Sequence, residues 1–173
     1  MAGLPVEDPS AYCEVFDSIG HEISITREYI SITQYRTQMD AVISFLCPEE
    51  LLELQVPKNI LQPLVENSLL HGLYDVNTGQ ISGRIDIAFS LEDGYLLITV
   101  TDDGKGVSEE ALSAFYAKDE SPAGTAGCGQ HIGLRNVRDR LHYLYPEIDT
   151  VLSIQNITPH GTQVLIRIKI QEP

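Results

Sequence analysis

The sequence is short of positive charge, of clustered cysteine and of long apolar runs, and each shortage removes a class of function. Its 11 Lys and Arg stand against 25 Asp and Glu, a net charge of −14, which argues against a general nucleic-acid or anionic-membrane surface. On so acidic a chain the local basic cluster Arg135, Arg138 and Arg140 is conspicuous. Cys13, Cys47 and Cys128 lie far apart and have no metal-ligand spacing; an odd number with no signal peptide in view fits a reducing cytosol. No apolar run approaches the roughly 20 residues of a membrane span. There is no Gly-Lys-Ser/Thr phosphate loop, no glycine fingerprint between a first strand and helix, and no nucleophile elbow. Internal repeats and low-complexity tracts are also missing. What remains is a chain of 173 residues, 43% hydrophobic and 21% charged, the size of one domain with enough apolar content for a core. Met1 to Pro9 reads as a loose tail.

Periodicity gives a coarse order of elements. Ala11 to about Gln38 reads as helical, with Gly20 a point where it could break. Ile25, Tyr29, Ile32 and Arg36 recur there at helical spacing, a stripe that could face a partner helix or pack on its own domain. Ala41–Cys47 is a short β-rich run. Asn59 to Leu70 reads as a second helix, with Pro63 tolerated near its first turn. Arg84–Ser90 and Tyr95–Thr101 alternate about the turn Glu92-Asp93-Gly94 and pair as a hairpin. Ser108 caps a helix running to Tyr116, with Glu109 and Glu110 in its first turn. Ala117 to Gln130, rich in Gly, Ser, Ala and Pro, reads as a mobile loop. Ile132–Tyr145 is a helix ended by Pro146, and Val151–Ile157 and Thr162–Ile170 are strands joined at Pro159-His160-Gly161. The expected class is α+β: a two-layer sandwich with helices on one face of a largely antiparallel mixed sheet.

Three segments carry chemistry. On the second helix Asn67 and His71 are four apart and share a face. An amide oxygen suits Mg²⁺, which keeps several waters and leans on substrate phosphates, and His71 could donate to a phosphate oxygen. Glu66, the neighbouring acid, points about 100° away by helix geometry; it joins Asn67 and His71 as the acidic member of the candidate catalytic group. Next, Val100-Thr101-Asp102-Asp103-Gly104-Lys105-Gly106 ends a strand in a carboxylate followed by glycines, which let backbone approach a flat ligand. Asp102 could accept from the exocyclic amine of adenine, where guanine presents an acceptor. Last, Gly127 to Gly133 opens a helix whose first N–H groups can hold phosphate, with Arg135 and Arg138 in its first turns. Each segment alone has an ordinary explanation: a wet helix face, an Asp-Gly turn, a flexible linker.

Together, in this order, the three segments resemble the N box and glycine boxes of sensor histidine kinases and, more widely, the GHKL ATPases with their Bergerat ATP-binding fold. Leu61-Gln62-Pro63-Leu64-Val65-Glu66-Asn67-Ser68 with His71-Gly72 is similar to the N box of the LytS/YesM type. Ile132-Gly133-Leu134-Arg135-Asn136-Val137-Arg138-Asp139-Arg140-Leu141 looks like its second glycine box, and Gly161-Thr162-Gln163-Val164 like its final Gly-Thr element. Glu28 through Arg36 looks like the end of that family's helical hairpin. The resemblance implies ATP and Mg²⁺ as cofactors, with Asn67 on the metal and Asp102 on the adenine amine. It implies that Gly104 and Gly106 shape the base pocket and that Thr162 sits near Asp102. It implies that Gly129 and Gly133 shape the phosphate-covering lid, that Ile132 and Leu134 of the same box belong to the ATP site, and that His71 and Arg135 contact the phosphates.

Two departures shape the functional expectation. Hydrolytic relatives carry a water-activating glutamate four residues before the metal-binding Asn, where this chain has Pro63; that favours phosphoryl transfer to a protein, which needs mainly positioning and charge stabilisation. No Asn-Pro-His-Phe-type acceptor segment occurs, and His21-Glu22 lacks acceptor context. The expectation is therefore a fragment: residues 1–40 as the tail of the dimerisation helices, residues 41–173 as the ATP-binding catalytic domain of a two-component histidine kinase. Expected partners are ATP, the histidine-bearing helices of its own full-length chain and a response regulator, with no nucleic acid. The parent would be a homodimer anchored in the cell membrane with this domain in the cytoplasm. The alternatives are a soluble GHKL serine kinase of the anti-sigma type, against which the upstream helix argues, and a non-catalytic nucleotide-binding module.

Overall fold

A computed structural model describes residues 15–37, 39–117 and 132–170 of the chain. A short strand β1 (Phe16–Ser18) leads into α1 (Ile19–Thr37); β2 (Asp40–Leu46), a 3₁₀ turn (Glu49–Leu51) and β3 (Gln55–Pro57) follow. Then come α2 (Leu61–Asn67), which continues as a π-helical segment (Ser68–Leu73), and the long strands β4 (Ser82–Glu92) and β5 (Tyr95–Asp102). The remainder is α3 (Glu109–Tyr116), α4 (Ile132–Leu144), β6 (Leu152–Asn156) and β7 (Thr162–Lys169). Five strands form one sheet in the order β2-β4-β5-β7-β6, parallel only between β2 and β4, while β1 and β3 make a separate antiparallel pair. This is the mixed, largely antiparallel sheet with helices that the alternation implied.

Period-two patterning decides what faces the helices. Ile85, Ile87 and Phe89 of β4, Leu96, Ile98 and Val100 of β5, and Val164, Ile166 and Ile168 of β7 are all buried, because successive strand residues point to opposite faces. The same alternation carries Asp102 and Thr162 onto that buried face, at the end of the apolar stripe. Register then sets Asp102 between Ile85 on one side and Thr162 on the other. The hairpin turn is Asp93-Gly94, both with positive φ (51° and 80°), as a two-residue connection between right-twisted strands requires.

Three details differ from the periodicity reading. Where a helix from Ala11 was expected, Phe16–Ser18 pairs with Gln55–Pro57 and α1 starts at Ile19, while residues 11–14 lie outside the described residues. Gly20 does not break it; the Ile19 and Gly20 N–H groups donate to Leu54 O and Leu52 O (3.0 and 2.9 Å), which satisfies part of the helix start. The packed face of α1 is Ile19, Ile23, Thr26 and Ile30, while Ile32 and Arg36 are exposed and Ile25 and Tyr29 half-buried. One helical period fits both stripes, and only contact with α2 selects between them. Finally, the second helix changes from α to π geometry at Ser68, which the apolar pattern did not signal. The stretch from Lys118 to Gln130, including Gly129, lies outside the described residues.

Ser108 caps α3 as expected, its Oγ accepting from Ala111 N at 3.2 Å. Ser108→Ala is expected to lower stability by about 1 kcal/mol, read as a lower urea midpoint with an unchanged slope; an unaltered midpoint would mean the hydroxyl is replaced by water at no cost.

Candidate functional site

The site grows from the meeting of three backbone segments: the α2–π rod, the turn after β5 and the start of β7. The turn comes so close to the rod that a Cβ on Gly104 would strike the Gly72 carbonyl. Lys105 N donates to that same carbonyl at 3.2 Å. A Cβ on Gly72 would in turn lie 2.8 Å from Asp102 Oδ1. Gly161, at φ 119°, adopts a conformation that side chains avoid and passes directly over the Asp102 carbonyl. Glycine is thus required where rod, turn and β7 converge.

Asp102 lies at the centre. It is 1% exposed, and Oδ1 accepts from Gly104 N (3.0 Å) and Thr162 N (3.2 Å). Both bonds go to one oxygen, and a carboxylate has acceptor capacity to spare on the other. Burial pushes its carboxyl above the ordinary value of 3.8, and the nearby Ser68 hydroxyl and the two backbone N–H groups pull it back. Ser68 is fully buried, and its hydroxyl leans on the Asp102 carboxylate at less than ideal hydrogen-bond geometry. The carboxylate keeps acceptor capacity that a polar ligand edge could use.

The rod places the other candidates at different depths. Asn67, 7% exposed, closes the α part. His71, half-exposed, lies in the π part, where burial and then the charge of Lys105 depress its pKa; the imidazole is neutral at physiological pH. The i→i+5 pattern widens this turn, so Asn67 and His71 do not stack as in an ideal α-helix. Glu66 is half-buried and accepts from Gln62 Nε2 at 2.8 Å, one turn back on the same helix. Pro63 lies in the first turn of α2, where its missing N–H breaks no helical bond, and a Cβ on Gly133 would contact it at 3.8 Å.

The second glycine box divides. Gly133 is exposed near the start of α4, Ile132 is its first residue, and Leu134 is fully buried in the core. Arg135 donates to Ala114 O and Arg138 to Phe115 O, the last-turn carbonyls of α3, and the Arg138 guanidinium stacks over the Phe115 ring at 4.8 Å. These arginines therefore complement the carbonyl end of α3.

The structure brings Gly72, Asp102, Gly104 and Thr162 together, sets Asn67 and His71 on the adjoining rod, and pairs Glu66 with Gln62 and Arg138 with the Phe115 carbonyl. Sequence reasoning missed Ser68, Lys105 and Asn156. The last bonds both Val107 N (2.7 Å) and Val107 O (2.8 Å) through its side chain, and a Cβ on Gly106 would lie 2.9 Å from its Oδ1. Ser68 could have been noticed as the neighbour of Asn67. Nothing local marked Asn156, whose partner is 49 residues away.

Comparison with known proteins agrees with this geometry. The family profile described as histidine kinase-, DNA gyrase B-, and HSP90-like ATPase matches residues 54–172. Sensor protein LytS of Oceanobacillus iheyensis is 34% identical over 143 residues, 83% of this chain and 23% of that protein. Sensor histidine kinase YesM of Bacillus subtilis is 28% identical over 151 residues, 87% of this chain and 23% of that protein. The chain thus spans about a quarter of these curated relatives. Among solved structures, the nucleotide-free catalytic domain of histidine kinase ThkA superposes with a TM-score of 0.60 at 16% identity, over 90% of this chain and 95% of that one. The matched profile covers most of the chain and every element that builds the site, so the chain belongs to the histidine kinase-, DNA gyrase B- and HSP90-like ATPase family.

Proposed function

We propose that this chain is the ATP-binding catalytic domain of a two-component sensor histidine kinase. The observation that carries the reading is Asp102: a buried carboxylate at the end of a core strand, fixed through one oxygen by backbone and adjoining the buried Ser68 hydroxyl. That arrangement receives a flat base with an exocyclic amine. Asp102 accepts from the amine, and Gly72, Gly104 and Gly106 let the rod, the turn and the end of β6 pack closely around it. The curated relatives named as sensor histidine kinases support transfer to histidine.

At the phosphate end the donor set fits Mg²⁺. No group of three or more His, Cys, Asp or Glu among the described residues could hold a metal by itself. A single amide oxygen from Asn67, completed by phosphate oxygens and water, is the kind of site this ion uses. The ion would neutralise phosphate charge. Neutral His71 donates one N–H, Lys105 adds positive charge nearby, and Gly133 leaves space at the start of α4. In the transfer, the bond between the γ-phosphorus and its bridging oxygen breaks. A bond forms to a ring nitrogen of a histidine on the dimerisation helices, and ADP leaves. Water is not activated here, because Pro63 occupies the position of the hydrolytic base and Glu66 is engaged by Gln62 one turn back on the same helix. Residues up to about 40 would be the tail of those helices, and a response regulator would take the phosphate onward. The whole protein would be a membrane-anchored homodimer; among the described residues no helix is long and apolar enough to cross a membrane.

Mixing this chain, labelled ATP and Mg²⁺ with a separately produced helical hairpin from the same gene tests the assignment. Acid-labile, base-stable label on a hairpin histidine is expected. Label on serine, or release of inorganic phosphate alone, would overturn the assignment.

A further inference from the structure

α2 lacks a cap of its own. Its N-cap residue Ile60 offers no side-chain acceptor, yet Asn59, Ile60 and Leu61 all present backbone N–H groups at the entry. The acceptor comes from another helix. Glu22 of α1, itself buried, takes Asn59 N on Oε1 at 2.7 Å and Ile60 N and Leu61 N on Oε2 at 3.1 and 3.3 Å. Asn59 adopts a left-handed backbone (φ 55°) that turns its N–H toward Glu22, and its carbonyl accepts from Arg140 Nη2 of α4 at 3.1 Å. Burial lowers the pKa of the half-buried Arg140 guanidinium, and the charge of Glu22 works against that. The Glu22 carboxylate therefore joins α1 to the entry of the helix that carries Asn67, and Arg140 joins α4 to the same entry through the Asn59 carbonyl.

We propose that Glu22 is a positioning residue for the nucleotide site, fixing the α2 rod against α1 so that Asn67 meets the metal–phosphate end of the ligand; this rests on the assignment of Asn67 made above. A serine at position 60 would satisfy one N–H without burying a charge, the cheaper device for stability alone. A charge-assisted cap at the positive end of the helix, reaching from a residue 37 positions away, adds something a local cap does not. It couples the helix register to α1. The rod is continuous from Leu61 to Leu73, and its far end is pinned independently where Lys105 N meets Gly72 O. Loss of the Glu22 cap therefore loosens the Leu61–Asn67 part first and leaves Asp102, held by the sheet, in place. A shift of α1 would act on Asn67 by the same route.

The test uses Glu22→Gln and Glu22→Asp in this chain, the second keeping the charge but drawing it back by one methylene. Calorimetry would give affinities for adenosine and for Mg·ATP, beside melting temperatures. Adenosine affinity is expected to stay within about twofold of the parent, while Mg·ATP affinity falls roughly tenfold in Glu22→Gln, about the worth of one charge-assisted hydrogen bond, and less in Glu22→Asp. Affinities for both ligands unchanged from the parent in a folded variant, or a parallel loss for both that follows melting temperature, would overturn the proposal. Should Glu22→Gln fail to fold, Glu22→Asp decides by the same split. An unmodified chain that binds Mg·ATP no better than adenosine would sink the assignment of Asn67 first, and the role of Glu22 with it.

Discussion

Asp102→Asn is expected to weaken ATP binding sharply, to narrow the gap between ATP and GTP, and to leave the fold at least as stable. In the proposed reading the carboxylate is the acceptor that faces the adenine amine. An amide keeps an oxygen for Gly104 N and Thr162 N, but it turns an N–H₂ group toward the base, donor against donor. A buried polar pair lost this way costs about 1–3 kcal/mol, and more where one partner is charged, or roughly tenfold to several-hundredfold in affinity. For guanine, the new donor meets a carbonyl and the penalty shrinks. Stability moves the other way. Burial raises the Asp102 carboxyl above its ordinary 3.8, so the folded state holds this proton more tightly than the unfolded chain does. Its contribution is complete below that value and is lost as pH rises through the raised folded value. The amide has no proton to lose, so Asp102→Asn gains relative stability between acidic and neutral pH. Melting temperatures at both pH values, measured with ATP and GTP affinities, check this. Lowered stability with unchanged base preference would make Asp102 a turn carboxylate only, since its bond to Gly104 N is also what an Asp-Gly turn makes.

The parts of this fold that were legible in the sequence are those governed by short-range rules. Alternation in Arg84–Ser90 and Tyr95–Thr101 announced the central strands, and the Asp93-Gly94 turn joined them. Ser108 declared its helix. The placement of Asp102 on the buried face also follows from alternation, since it continues the series Leu96, Ile98, Val100. What was illegible depends on partners distant in sequence. The strand Phe16–Ser18 exists because Gln55–Pro57 pairs with it; as a lone tripeptide it has no periodicity. The π turn at Ser68 brings Gly72 against Gly104, a contact that no local propensity encodes. Glu22 looked like the acid beside a surface histidine. His21 is indeed an exposed residue bound to Asp17 at 2.6 Å, while Glu22 points inward and caps α2. Arg135 and Arg138 were expected near phosphate because they follow a glycine loop; each also donates to a last-turn carbonyl of α3, a partner that no local pattern names.

Asn67→Ala is expected to abolish the advantage that Mg²⁺ gives to ATP binding. The amide closes the α part of the rod, is nearly buried, and is the metal ligand that the N-box resemblance assigns. Mg²⁺ keeps most of its shell as water and phosphate oxygen, so one protein oxygen decides whether the ion is registered against the γ-phosphate. Its loss is expected to lower Mg·ATP affinity by about tenfold or more and transfer by a larger factor, because positioning of the phosphoryl group is most of what the protein contributes. ATP measured in excess chelator should bind the variant and the unmodified chain alike, since Asp102 and the glycine turn are untouched. Alanine is also the better helix former, so the melting temperature is not expected to collapse. Unchanged Mg·ATP affinity together with unchanged transfer would remove Asn67 from the metal site. The variant also sets the limit for Glu22. A residue that acts by placing Asn67 cannot cost more Mg·ATP affinity than Asn67 itself, and the double substitution should add little to Asn67→Ala alone, because both remove the same contact.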